Sequence, residues 1–184
     1  VTDETAQSDT PTARMLSWAR NSTIYRLERR MMTEKQLFDA ITRKARQKFE
    51  EISEAQVRAL ADAAVKFAYD QKALDDAAFA AMSTRSGVNS GRSRRMIAQR
   101  LSQKGVSADI ASEALENVDD LVAAVVMARK RAFGPFRRGE LDEKRSAKEL
   151  SAFARTGFSL DIGRKIFAMA REEAEEILAA GKSL

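Results

Sequence analysis

The side chains able to do chemistry are few, and two kinds are missing. The 184 residues contain no histidine and no cysteine. That removes Cys/His zinc sites, disulfides, thiol nucleophiles and imidazole acid–base catalysis together. The serines and threonines have no histidine to activate them. Asp75 and Asp76 form a carboxylate pair that could bind a metal or move a proton, but AAFA follows them. Aspartate is a preferred helix cap, so the pair is expected to open a helix. The stretch SGVNSGRS, residues 86–93, has loop chemistry but not the spacing, lysine or preceding strand of a phosphate loop. No catalytic residue, metal ligand or cofactor is expected.

What remains is positive charge, unevenly laid out. The formal net charge is +5, yet no acid stands between Asp76 and Asp109, where Arg85, Arg92, Arg94, Arg95, Arg100 and Lys104 fall. A second acid-free run lies between Asp120 and Glu140 and carries Arg129, Lys130, Arg131, Arg137 and Arg138. Acids gather instead in Glu172, Glu173, Glu175 and Glu176. Such asymmetry points to contact with a polyanion or an acidic protein, against the plain alternative of a solvated face. On a helical wheel for residues 92–104, Ile97 and Leu101 mark the buried stripe. Arg92, Arg95, Gln99 and Ser102 project from the opposite face, with Arg94 and Arg100 at its flanks. The helix after this one, SADIASEALENV, is acidic and poor in base-reading side chains, which argues against a helix-turn-helix reader. Trp18, Tyr25 and Phe49 could stack on bases, but lone aromatics on amphipathic helices usually enter the core.

The elements that must position these cations are helical. Good helix formers are plentiful, prolines number two, and no period-two pattern emerges. The first helix is expected from about Ala13 to Arg30. Thr33 with Gln36, and Ser53 with Gln56, have capping-box spacing. Val57, Leu60, Ala61, Ala64, Val65 and Ala68 then follow the spacing of an amphipathic helix. Further helices are expected from Asp76, from about Arg92 to Lys104, from Ser107, from Asp119–Asp120 to Phe133, from Leu141 to Arg155, and as one long piece after Ser159. SGVNSG is expected as a loop.

Two stretches share a pattern: LSQKGVSADI at 101–110 and FARTGFSLDI at 153–162. In each, a glycine closes a helix, an apolar residue follows, a serine caps the next helix, and an aspartate sits in its first turn. The first segment repeats this loosely, with Ile41 in the place of Leu101 and Ser53 in that of Ser107, a longer loop and no glycine. The fold class is therefore all-α, three tandem three-helix repeats in an elongated array that can curve. The expected divisions are a disordered tail over 1–14 and repeats over 15–74, 75–118 and 119–184. The polar start, with Asp3, Glu4 and Asp9, does not resemble a signal peptide, and no apolar run reaches the roughly 18–20 residues of a membrane span. A cytoplasmic monomer without membrane contact is expected.

These residues resemble the RecX regulatory proteins of bacteria. The resemblance is carried by Leu74, Asp75, Asp76, Phe79, Ala80, Gly91, Arg95, Ile97, Leu101, Lys104, Gly105, Val106 and Ser107. Phe153, Gly157, Phe158 and Ser159 resemble the family's closing segment, with Thr156 where arginine is common. RRMMTEKQLFDAI resembles its first repeat, although the RKARQKFEEIS loop is longer and more charged. The resemblance implies a negative regulator of the RecA recombinase. Such a protein binds the groove of the RecA–DNA filament and inhibits ATP hydrolysis and strand exchange. Its partners would be the RecA filament and the single-stranded DNA within it. The expected contact residues are Arg85, Arg92, Arg94, Arg95, Arg100, Lys104, Arg129, Lys130, Arg137 and Arg138. The alternative is a general basic helical DNA-binding module without a RecA role.

Overall fold

A computed structural model describes residues 9–181. Among them are ten α-helices, one 3-10 turn at Gly134–Phe136, and no strand. The helices are α1 (Ala13–Leu27), α2 (Glu34–Lys48), α3 (Glu54–Asp70), α4 (Asp76–Asn89), α5 (Arg94–Gln103), α6 (Ala108–Leu115), α7 (Asp120–Arg131), α8 (Glu143–Arg155), α9 (Leu160–Ala168) and α10 (Arg171–Ala180). They fall into two compact units. Among the described residues, one comprises residues 9–79 together with Lys104–Val106; the other holds Ala80–Gln103 and residues 107–181.

The first unit is built by capping and by small residues. Both expected capping boxes form: Thr33 with Gln36 starts α2, and Ser53 with Gln56 starts α3. Each box satisfies two amide donors that the first turn leaves open. Leu37, Ile41 and Ala45 from α2 then meet Leu60, Ala61, Ala64 and Ala68 from α3, with Ala19 from α1. Trp18 and Phe49 pack edge to face at 5.2 Å beside this core, as expected for core aromatics. Tyr25 departs from that expectation. It is exposed, with the Arg29 guanidinium 4.1 Å from its ring centre. Of the tail expected over 1–14, residues 1–8 lie outside the described residues. From residue 9 the chain is tied down: Ser53 Oγ donates to Asp9, Gln56 Nε2 donates to the Thr10 carbonyl, and Thr12 caps α1.

The second unit is organised around α7. Ala123, Ala124, Val125, Val126, Met127 and Ala128 are all buried, which makes α7 a central helix rather than an amphipathic surface one. Phe136, Phe153, Phe158 and Ile166 close around it. Two differences from the sequence reading stand out. First, α4 runs through Ser86–Asn89, so most of the expected SGVNSG loop is helix. Gly87 is there for clearance, since a Cβ on it would lie 2.6 Å from Ile97 Cγ1 of α5. Second, the long final helix is two. Met169 and Ala170 are extended, with ψ 141 and 153, and the Met169 side chain is buried in the core.

The shared glycine pattern has one geometry at both places. Gly105 and Gly157 have φ of +82 and +86, the left-handed closure. Val106 and Phe158 are buried, and Ser107 and Ser159 accept the amide hydrogens of Ile110 and Ile162. The longer loop of the first segment uses Glu51 at φ 55 instead of a glycine.

A second recurrence was not visible in the sequence. In the first unit, the buried Thr33 hydroxyl donates to the Lys104 carbonyl at 2.6 Å, and the Glu34 amide donates to Asp76 at 3.0 Å. In the second unit, the buried Ser93 hydroxyl donates to the Thr156 carbonyl at 2.7 Å, and the Arg94 amide donates to Asp120 at 2.6 Å. Each hydroxyl also accepts from its own helix, from Gln36 and Met96 respectively. One side chain thus caps a helix start and satisfies the carbonyl just before a closing glycine. Ser93→Ala strands both groups and is expected to lower stability by about 1–3 kcal/mol, read by urea unfolding. Ser93→Thr, which keeps the hydroxyl, is expected to cost less.

Candidate functional site

The Asp75–Asp76 pair is used up by the fold. Asp75 accepts the Ala78 amide at 2.8 Å and caps α4, while Asp76 accepts the Glu34 amide. Burial pushes the Asp76 carboxyl up, against the lowering effect of that amide. Among the described residues no three His, Cys, Asp or Glu side chains come together as a metal cluster.

The basic residues fall into three groups. The first lies on α5. Ile97 and Leu101 bury its inner stripe, and Arg94, Arg95 and Arg100 are left exposed. Arg92 is not on the helix: α5 starts two residues later than expected. Arg92 lies in the preceding turn, half-buried, its amide bonded to the Gly87 carbonyl. Lys104 is half-buried as well.

The second group is Arg85, Arg129 and Lys130. Far apart in sequence, they line one groove of the second unit, between α4 and α7. All three are exposed, and Lys130 Nζ donates to the Asn89 carbonyl at 3.2 Å.

The third group is tied to a buried acid. Arg137 grips Glu149 with two bonds, Nε to Oε1 at 2.9 Å and Nη2 to Oε2 at 2.7 Å. Arg145 Nε adds a bond at 3.3 Å, and the Gly134 amide adds one at 3.0 Å. The Glu149 side chain is 1% exposed and that of Arg137 15%. Burial alone would push the Glu149 carboxyl up; the bonds from Arg137, Gly134 and Arg145 outweigh it and hold it below the ordinary carboxylate range. Arg137 is also stacked over Phe167. Its geometry is that of a clamp between α8 and the turn at Gly134. Arg138 remains exposed, its carbonyl accepting from Arg145.

Sequence reasoning missed Glu149, Arg145 and the groove. A signal for the first existed: Glu149 shares a helix face with the buried Ala152 and Phe153, one turn from Arg145. An acid on an apolar stripe calls for a partner. No local signal pairs α4 with α7.

Together the helices and their recurring joints define an all-α protein of tandem three-helix units. The comparisons narrow this to one family. A family profile for RecX, second three-helix domain, matches residues 75–115. The chain is 63% identical to the regulatory protein RecX of Agrobacterium fabrum strain C58, over 96% of this chain and 96% of that one. It is 34% identical to the regulatory protein RecX of Myxococcus xanthus, over 82% of this chain and 84% of that one. The crystal structure of RecX from Lactobacillus salivarius shares the fold with a TM-score of 0.64 at 22% identity, covering 90% of this chain and 99% of that one. A second RecX crystal structure has a TM-score of 0.65 at 22% identity, covering 84% and 72%. The chain belongs to the RecX family of regulatory proteins. No helix among the described residues is long and apolar enough to cross a membrane.

Proposed function

We infer that this protein is a negative regulator of the RecA recombinase, acting by docking in the groove of the RecA–DNA filament. Docking inhibits ATP hydrolysis and strand exchange, and no chemistry by this chain is needed. The observation that carries the reading is the α5 surface: its apolar stripe is spent on the core, and Arg94, Arg95 and Arg100 are left outward with no ion pair among the described residues. A filament offers both DNA phosphates and protein carboxylates, so such a face has two kinds of anion to meet. Arg85, Arg129, Lys130 and Arg138 extend the contact set, Arg92 and Lys104 sit at its edge, and Arg137 supports it through Glu149. In the same reading the three-helix segments span 15–74, 75–118 and 119–184, and a monomer acts in the cytoplasm.

The test is RecA ATP hydrolysis on single-stranded DNA with this protein added. Inhibition at stoichiometric amounts is the expected result; undiminished hydrolysis would remove the reading. The acid-free run from Asp76 to Asp109 also favours a second reading, a DNA-binding module indifferent to RecA. Salt separates phosphate contacts from protein contacts. Each arginine that neutralises a phosphate on single-stranded DNA steepens log K against log salt by about 0.7. Arg95→Glu is expected to flatten the slope for filament binding by at least that amount if Arg95 meets phosphate, measured by anisotropy across a salt series. An unchanged slope would place Arg95 on protein.

A further inference from the structure

The groove between α4 and α7 is a more particular object than a basic patch. It has a volume of about 710 Å3 and is bounded also by the ends of α6 and α10. Its floor is aliphatic: Val122 is half-buried, and Val126 and Leu178 are 9% and 8% exposed. Its rim carries Arg85, Arg129 and Lys130. One acid, Asp119, also lines it, but that carboxylate accepts the Leu121 amide at 2.8 Å as the cap of α7. Three cations thus face one carboxylate already in use.

We propose that this groove is a docking site for an acidic, amphipathic helical segment of a partner protein. Aliphatic side chains of that segment cover Val122, Val126 and Leu178. Its carboxylates pair with Arg85, Arg129 and Lys130. The mode is a helix in a groove, with apolar anchors for affinity and a charged rim for partner choice. A nucleic acid fits less well. Among the described residues none that lines the groove is aromatic, so bases have no platform to stack on there, and a phosphate backbone leaves the aliphatic floor uncovered. The proposal rests on the reading of this protein as a regulator that docks. It adds that these three cations meet protein rather than DNA.

The test is fluorescence anisotropy with the full chain. The probe is a fluorescein-labelled helical peptide with leucines at i, i+3, i+4 and i+7 and glutamates between them. A glutamate-only peptide of equal charge and a single-stranded oligonucleotide serve as competitors. The leucine-bearing peptide is expected to bind at least about tenfold tighter than the glutamate-only one. Val122→Glu, and separately Arg129→Glu with Lys130→Glu, are each expected to weaken it by a similar factor. The second variant alters only exposed side chains, so it reads the groove even if Val122→Glu disturbs the fold. Equal affinity for the two peptides, full displacement by the oligonucleotide, or indifference to the Arg129/Lys130 reversal would each overturn the proposal. No RecA is present in this assay, so its failure leaves the ATP hydrolysis test untouched, and the converse holds.

Discussion

Glu149→Gln is expected to lower the unfolding free energy by about 3–5 kcal/mol, the usual cost of removing one partner from a buried ion pair. The reason is what stays behind. Arg137 would keep its charge in a site where, among the described residues, its only carboxylate partner is Glu149, and the Gly134 amide would lose its anionic acceptor. Gly134 has little freedom to move away. It holds φ +50, and a Cβ there would lie 2.5 Å from the Ile166 carbonyl oxygen. Urea unfolding of the variant measures the loss. Adding Arg137→Met, which removes the stranded cation, is expected to restore part of the stability; full additivity of the two losses would contradict the clamp. The clamp also has a pH signature. The folded-state pKa of Glu149 is lowered, so its contribution is complete above the unfolded value of about 4.3 and fades as pH falls through the lower folded value. Glu149→Gln should therefore flatten the loss of stability on acidification.

Arg95→Glu combined with Arg100→Glu is expected to raise the amount of protein needed for half-inhibition of RecA by at least about tenfold, since reversing contact charges both removes attraction and adds repulsion. Neither side chain supports the fold: both are exposed and α5 is fixed by Ile97 and Leu101. Unchanged helicity should accompany the loss. Gly157→Ala offers the opposite contrast. A Cβ there would lie 2.7 Å from Ser93 Oγ at a φ of +86, so stability and inhibition are expected to fall together.

Much of this organisation was readable in the chain because it is written locally. Capping boxes, serine caps and the two closing glycines are bonds between residues three or four apart, and they appear where the spacing puts them. The stripe of Ile97 and Leu101 likewise fixed which α5 cations face out. What escaped was decided by tertiary contact. Gly87 and Ser86 look like turn residues, yet α4 continues through them, and the missing Cβ of Gly87 leaves room for Ile97 of α5. The break after α9 has no glycine, proline or side-chain cap to announce it; Met169 turns into the core instead. Arg137 and Arg138 are adjacent and look alike in sequence, but a buried Glu149 on another helix separates a clamp from a free cation. The grouping of Arg85 with Arg129 and Lys130 depends on α4 lying beside α7, which no spacing encodes.

The central claim is that this protein acts on RecA filaments and not on DNA alone. Co-sedimentation separates the two most directly, with RecA filaments on single-stranded DNA in one tube and the same DNA without RecA in the other, at matched salt. The account predicts that the protein pellets with filaments, that bare DNA retains little of it, and that the Arg95/Arg100 reversal abolishes the difference. Equal retention on bare DNA, with no gain when RecA is present, would contradict it.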